Sequence, residues 1–183
     1  MAIDSKTRKR FSKSAWTELG LSLLRKHGPT ALTVEELCEN AQKTRGSFYF
    51  HFETVDAFLE ALAKQWQIQF TDEIVKTSPP SESRLDCLNL LAIRIDLDLE
   101  RYIRELALKQ KQVNTIVMQA DTARIAWLAE LYANSGQYAQ QDAENLAKIE
   151  YAAFVGFKLV DPDMSAPESR SIYEGFLKLT GRL

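Results

Sequence analysis

Nine consecutive residues, Thr44-Arg45-Gly46-Ser47-Phe48-Tyr49-Phe50-His51-Phe52, gather hydroxyls, a guanidinium, a phenol and an imidazole around phenylalanines. That mixture suits contact with a polyanion. Thr44 is an N-cap residue, and the helix start behind it offers backbone N–H groups to a phosphate oxygen. Arg45 and Ser47 stand at the N-terminal end, where a groove-reading helix meets base edges, and Arg can grip guanine in bidentate fashion. Gly46 costs about 1 kcal/mol of helix stability relative to Ala, so something approaches the backbone there, an outside surface or a neighbouring helix. Tyr49 serves phosphate or packs inward, and His51 serves phosphate or the end of its own helix. Phe48 and Phe52 read as core.

The elements that must position these residues are helices. Trp16, Leu19, Leu23 and Leu24 form an apolar stripe that ends at His27-Gly28-Pro29, where Gly28 can turn the chain and Pro29 cannot continue the helix. Thr33 with Glu36 three residues later is a capping box, and Val34, Leu37, Cys38 and Ala41 are the buried face of the short helix behind it. The third helix runs from Thr44 toward Phe50. Val55, Phe58, Leu59, Leu62, Trp66 and Phe70 then recur at helical spacing behind a Thr54 cap, predicting one helix to Phe70. Thr77-Ser78-Pro79-Pro80-Ser81 interrupts the pattern. Beyond it, helical stripes cover Leu85 to Leu106, in one or two helices, then Ile116 to Leu131, Leu146 to Phe157, and a last helix with Ile172, Phe176 and Leu179. The reading is all-α, without strand-like alternation or internal repeat.

Charge sorts along the chain. The net charge of the 183 residues is −2, but residues 1–54 hold nine Lys or Arg against six Asp or Glu, and the remainder fourteen against nineteen. A basic front is the part fitted to meet phosphate. Lys6, Arg8, Lys9 and Arg10 form a basic arm, either solvated or reaching a minor groove. Cys38 and Cys87 read as buried hydrophobes, and with His27 and His51 they lack the paired spacings of a zinc module, so no metal or other cofactor is expected. Asp96, Asp98 and Glu100 read as an exposed acidic face. No carboxylate pair, Ser/His/Asp set or glycine-rich phosphate loop marks an enzyme. No segment approaches the ~20 apolar residues that span a bilayer, and the polar start lacks a signal core, so no membrane contact and a cytoplasmic location are expected.

Thr33-x-x-Glu36-Leu37 followed by Thr44-x-Gly46-Ser47-Phe48-Tyr49-x-His51-Phe52 resembles the DNA-binding motif of the tetracycline-repressor (TetR) family. The resemblance covers roughly residues 8–68, with the motif at about 33–52. It implies a three-helix head with a helix-turn-helix, a fourth connecting helix, and a C-terminal helical domain over 69–183 that dimerises through its last two long helices. It also implies a double-stranded DNA operator and a small-molecule effector that releases it, in a transcription regulator, a repressor by expectation. Thr33, Lys43, Thr44, Arg45, Gly46, Ser47, Tyr49 and His51 are its candidate DNA contacts, Tyr49 meeting phosphate. Trp66, Tyr102, Trp127, Tyr151 and Phe154 are the candidate ligand residues, each otherwise a side chain of the bundle core. The effector is expected to be largely apolar, since no Arg or Lys cluster marks the buried faces of the back domain. Two departures stand out: Gln42-Lys43 occupy a turn that usually has Gly and a small aliphatic residue, and Val55 stands where a Lys commonly touches phosphate. They motivate the competing expectation, a dimeric helical ligand-binding protein that no longer reads DNA.

Overall fold

The computed structural model describes residues 11–77, 96–161 and 163–179, and every regular element among them is helical. Helix α1 (Lys13–His27), α2 (Val34–Ala41) and α3 (Arg45–Tyr49) form the head, followed by α4 (Val55–Gln67). Three threonines start three of these helices as the sequence predicts. Thr33 Oγ1 accepts from the Glu36 N–H, Thr44 Oγ1 from Ser47 and Thr54 Oγ1 from Ala57, at 3.2, 3.2 and 3.0 Å. Gly28 ends α1 with φ +75°, donating its N–H to the Leu24 carbonyl.

Helix α4 departs from its predicted course. It ends at Gln67, runs through a π-helical turn over Ile68–Asp72, and resumes as α5 (Glu73–Thr77). The body continues with α6 (Leu97–Ala107), α7 (Lys111–Asn134), α8 (Gln140–Val160) and α9 (Ala166–Leu179). The stripe from Leu85 to Ile95, with Cys87, lies outside the described residues, as does the basic arm.

Two apolar clusters fill the interior. The larger joins the head to α4, α6 and the first half of α7, from Trp16 and Phe48 to Ile103 and Val117. Gly20 sits at the α1–α4 crossing, where a Cβ would come within 2.6 Å of Leu62 Cδ1 and 2.7 Å of Phe58 Cζ, so the glycine sets how closely those helices pack. The smaller cluster joins the second half of α7 to α8 and packs Tyr173 and Phe176 of α9 against it. There the buried Glu150 carboxylate accepts from the hydroxyls of Tyr132 and Tyr173, tying α7, α8 and α9 together.

Candidate nucleic-acid interface and buried ionic cluster

Helix α3 is one and a half turns long and has little stability of its own. An aromatic cluster behind it supplies the rest. Phe48 is fully buried, with its ring 5.4 Å from Trp16, 5.3 Å from Phe52 and 5.4 Å from Phe58. Phe48 and Phe52 are therefore core, as read. The outward side of the helix presents Arg45, Gly46, Tyr49 and Phe50 to solvent. Arg45 Nη1 lies 3.0 Å from Glu35 Oε1, both side chains 64% exposed, a pair worth about 0–1 kcal/mol that an incoming anion can displace.

The other candidate residues border this surface. Thr33 and Thr44 are exposed caps; Lys43, Ser47 and His51 are partly buried. The His51 N–H donates to the Phe48 carbonyl at 2.9 Å, and its ring meets Phe50 edge-on at 5.0 Å. Gln42 adopts the left-handed conformation, φ 51° and ψ 46°, that a glycine would otherwise supply, so the α2–α3 turn keeps its geometry without one. Cys38 is buried, and that burial pushes its thiol up, which marks a structural cysteine. Sequence reasoning left out Phe50, although its side chain is 72% exposed on this same surface.

Among the described residues, the five aromatic candidates of the back domain are spread over several contacts. Trp66 is buried beneath the Arg124 guanidinium, 5.1 Å from its ring centre, and Tyr151 stacks with Phe154. Tyr102 packs beside Gly28 at the head, and Trp127 belongs to the smaller core cluster.

What lies between these aromatics corrects two expectations. Glu100 is only 3% exposed, so it does not belong to an acidic face, although Asp98 does stand exposed: the Glu100 Oε1 accepts from Arg104 Nη2 at 2.7 Å and Arg124 Nη1 at 3.0 Å. Asp96 is also engaged, capping α6 and pairing with Arg25 at 2.5 Å. The expected absence of cations from the buried faces fails as well. Arg124, 3% exposed, donates from Nε to Thr71 Oγ1 at 2.9 Å and from Nη2 to the Phe70 carbonyl at 3.1 Å. Arg104 forks onto Asp121 at 3.0 and 2.6 Å, and Tyr151 donates its hydroxyl to the same carboxylate at 2.6 Å. Two guanidiniums and two carboxylates thus balance in charge across α6, α7 and the π-turn.

Burial raises the Tyr151 hydroxyl well above the ordinary tyrosine range and keeps it a donor. For Asp121, burial opposes the charge, but the hydrogen bonds from Arg104 and Tyr151 with both arginine charges win, and its value is lowered. A depressed carboxylate stabilises the fold fully above the unfolded value of about 4 and loses that share as pH falls toward the folded value. Asp121→Asn is therefore expected to melt below wild type at neutral pH, with the gap narrowing below about pH 4 in thermal scans. A gap unchanged on acidification counts against the linkage.

Four buried side-chain polar atoms lack a hydrogen-bond partner among the described residues, and three of them, Glu100 Oε2, Arg101 Nε and Arg104 Nε, belong to residues lining one small cleft. Leu97, Val155 and Leu159 form its apolar walls. Among the described residues no group of three His, Cys, Asp or Glu side chains is placed to hold a metal, and no helix is long and apolar enough to cross a membrane.

Among the described residues, an all-helical architecture with a short, solvent-facing polar helix wedged on a small aromatic core is a helix-turn-helix head by class. Residues 17–62 match the model of the bacterial regulatory proteins of the tetR family. The whole fold is similar to that of a Rhodococcus sp. protein assigned to the TetR-family transcriptional regulators, with TM-score 0.70 and 16% identity over 91% of this chain and 97% of that one. The multidrug binding protein EbrR, complexed with imidazole, matches at TM-score 0.62 and 16% identity over 94% of each chain. Salmonella enterica GusR matches at TM-score 0.60 and 16% identity over 94% of this chain and 98% of its own. A search of curated protein sequences gives no match. Residues 17–62 thus form a head of the tetR-family type, and the chain as a whole shares the fold of these structures.

Proposed function

We propose that the chain is a homodimeric repressor that lays α3 of each head in the major groove of a pseudo-palindromic operator and leaves it on binding a small molecule. Arg45 and Ser47 face base edges. Thr44, the N–H groups behind it, Lys43, Tyr49 and His51 take phosphates, with Thr33 at the start of α2 beside them. The carrying observation is the division of α3: Phe48 is fixed in the aromatic core while Arg45 and Tyr49 stand outside. Gln42 in its left-handed turn keeps the α2–α3 geometry, which answers one of the two grounds for a head that has lost DNA reading and leaves Val55 as the other.

Binding-site selection tests the assignment. Arg45→Ala is expected to relax base preference at one position per half-site, at a cost of about 1–3 kcal/mol if the contact is bidentate to guanine. Tyr49→Phe is expected to weaken all sequences alike. Identical base preference with and without Arg45 would remove it from the reading set.

The effector is read differently from the apolar molecule the sequence suggests. Trp66, Tyr102, Trp127, Tyr151 and Phe154 remain the candidate aromatic contacts. The unpartnered Glu100, Arg101 and Arg104 atoms would suit one small polar group, of a ligand or a single water, that both accepts and donates hydrogen bonds. Glu100 also holds Arg124, and Arg124 holds the π-turn that continues the DNA-side helix, so ligand and operator bias one shared element. Such coupling is reciprocal: a tenfold loss of operator affinity on binding ligand requires a tenfold loss of ligand affinity on the operator.

A further inference from the structure

Gly46 and Phe50 stand four residues apart, and the Phe50 N–H donates to the Gly46 carbonyl at 3.0 Å, so helical register carries both onto one side of α3. Neither residue is explained by the interior. A Cβ built on Gly46 would meet nothing nearer than Thr44 Oγ1, at 3.8 Å. Its backbone is helical, so the glycine answers neither a neighbouring helix nor a left-handed turn. Phe50 keeps 72% of its surface in solvent while the nearby Phe48 and Phe52 are buried. A bare backbone followed, one turn later, by an exposed aromatic ring is a surface shaped for close approach and apolar contact.

On the DNA reading proposed above, that surface faces the major groove. The groove edge there is polar except for one group, the thymine C5-methyl. We infer that Phe50 reads thymine, its ring packed on the C5-methyl of one base in each half-site, and that Gly46 lets α3 come close enough for the contact. Arg45 and Tyr49 share the adjacent strip of the helix, so the thymine lies beside the position that Arg45 reads. The ring gains burial only against thymine. Cytosine and the purines present polar edges at the same depth.

Deleting one methyl group from the DNA tests this without touching the protein. Full-length protein is used to select an operator, and each thymine of the half-site is then exchanged singly for uracil. One exchange is expected to weaken wild-type binding about fourfold, the weight of one buried methyl-sized group, and exchange in both half-sites by roughly the square of that. Phe50→Ala should bind the thymine and uracil operators equally and lose the thymine preference on reselection, while Phe50→Leu keeps most of it. Gly46→Ala should melt no lower than wild type yet bind every sequence more weakly. Uracil tolerated at every thymine by the wild type overturns the inference alone, as does a uracil penalty that persists in Phe50→Ala. Selection that recovers no operator overturns it together with the DNA reading.

Discussion

Replacing Arg124 by alanine is expected to lower the melting temperature by on the order of 10 °C, the largest effect of any single substitution in the body. The reasoning starts from burial. Removing one partner of a buried ion pair costs about 3–5 kcal/mol, since the other charge is left in a medium that cannot solvate it. Arg124 serves Glu100, Tyr151, Thr71 and the Phe70 carbonyl together, and its guanidinium lies over Trp66. Arg124→Lys is expected to restore little, because an ammonium cannot reproduce a planar fork reaching four acceptors. The double variant Arg124→Met with Glu100→Gln should recover part of the loss, as it removes charge from both sides. Thermal unfolding followed by circular dichroism measures this, and hydrogen exchange over 68–77 should quicken in Arg124→Ala before global unfolding. A melting temperature within a degree or so of wild type would show that the pair contributes nothing net.

The same side chain explains why one part of the chain was legible in sequence and another was not. The helix starts at Thr33, Thr44 and Thr54 are local events: each hydroxyl finds its N–H three residues on, so a short window contains the whole interaction. The wedge residues Phe48 and Phe52 announced themselves by spacing. The π-turn did not, because an arginine 54 residues away claims the Phe70 carbonyl and no pattern between Ile68 and Asp72 records that. Glu100 was misread for the same reason. Its alternation with Asp96 and Asp98 suggested solvent, and its bond to Arg104 is within one turn, but what buries it is Arg124, a helix away. On the head, the exposure of Phe50 is not legible in an aromatic run, because it is decided by which side of α3 the residue occupies.

Dimerisation is where the second large effect is expected, and the structure selects the residues to test. Phe154 and Phe176 face the interior, Phe154 stacking on Tyr151 and Phe176 packing beside Tyr173, both against the smaller core cluster. The apolar surface left outside is on α8 and α9, at Ile149 and Leu159, each 58% exposed, Val160 at 86% and Ile172 at 39%. Gly156 on the same helix α8 has nothing within 4 Å of where a Cβ would stand, which leaves room for a close helix. Exposed apolar side chains on two adjoining helices mark a partner surface, and the two-fold proposed here seats a second copy on it. Ile149→Asp with Val160→Asp is accordingly expected to give a folded monomer, with helical content retained because neither side chain fills the core. Operator affinity should then fall about 10²- to 10⁴-fold, since each head must find its half-site without the effective concentration its twin provides. Sedimentation gives the mass and fluorescence anisotropy on labelled operator gives the affinity. Wild-type protein that sediments as a monomer at micromolar concentration would refute the two-fold arrangement, and a monomeric variant with undiminished operator binding would separate dimerisation from DNA reading.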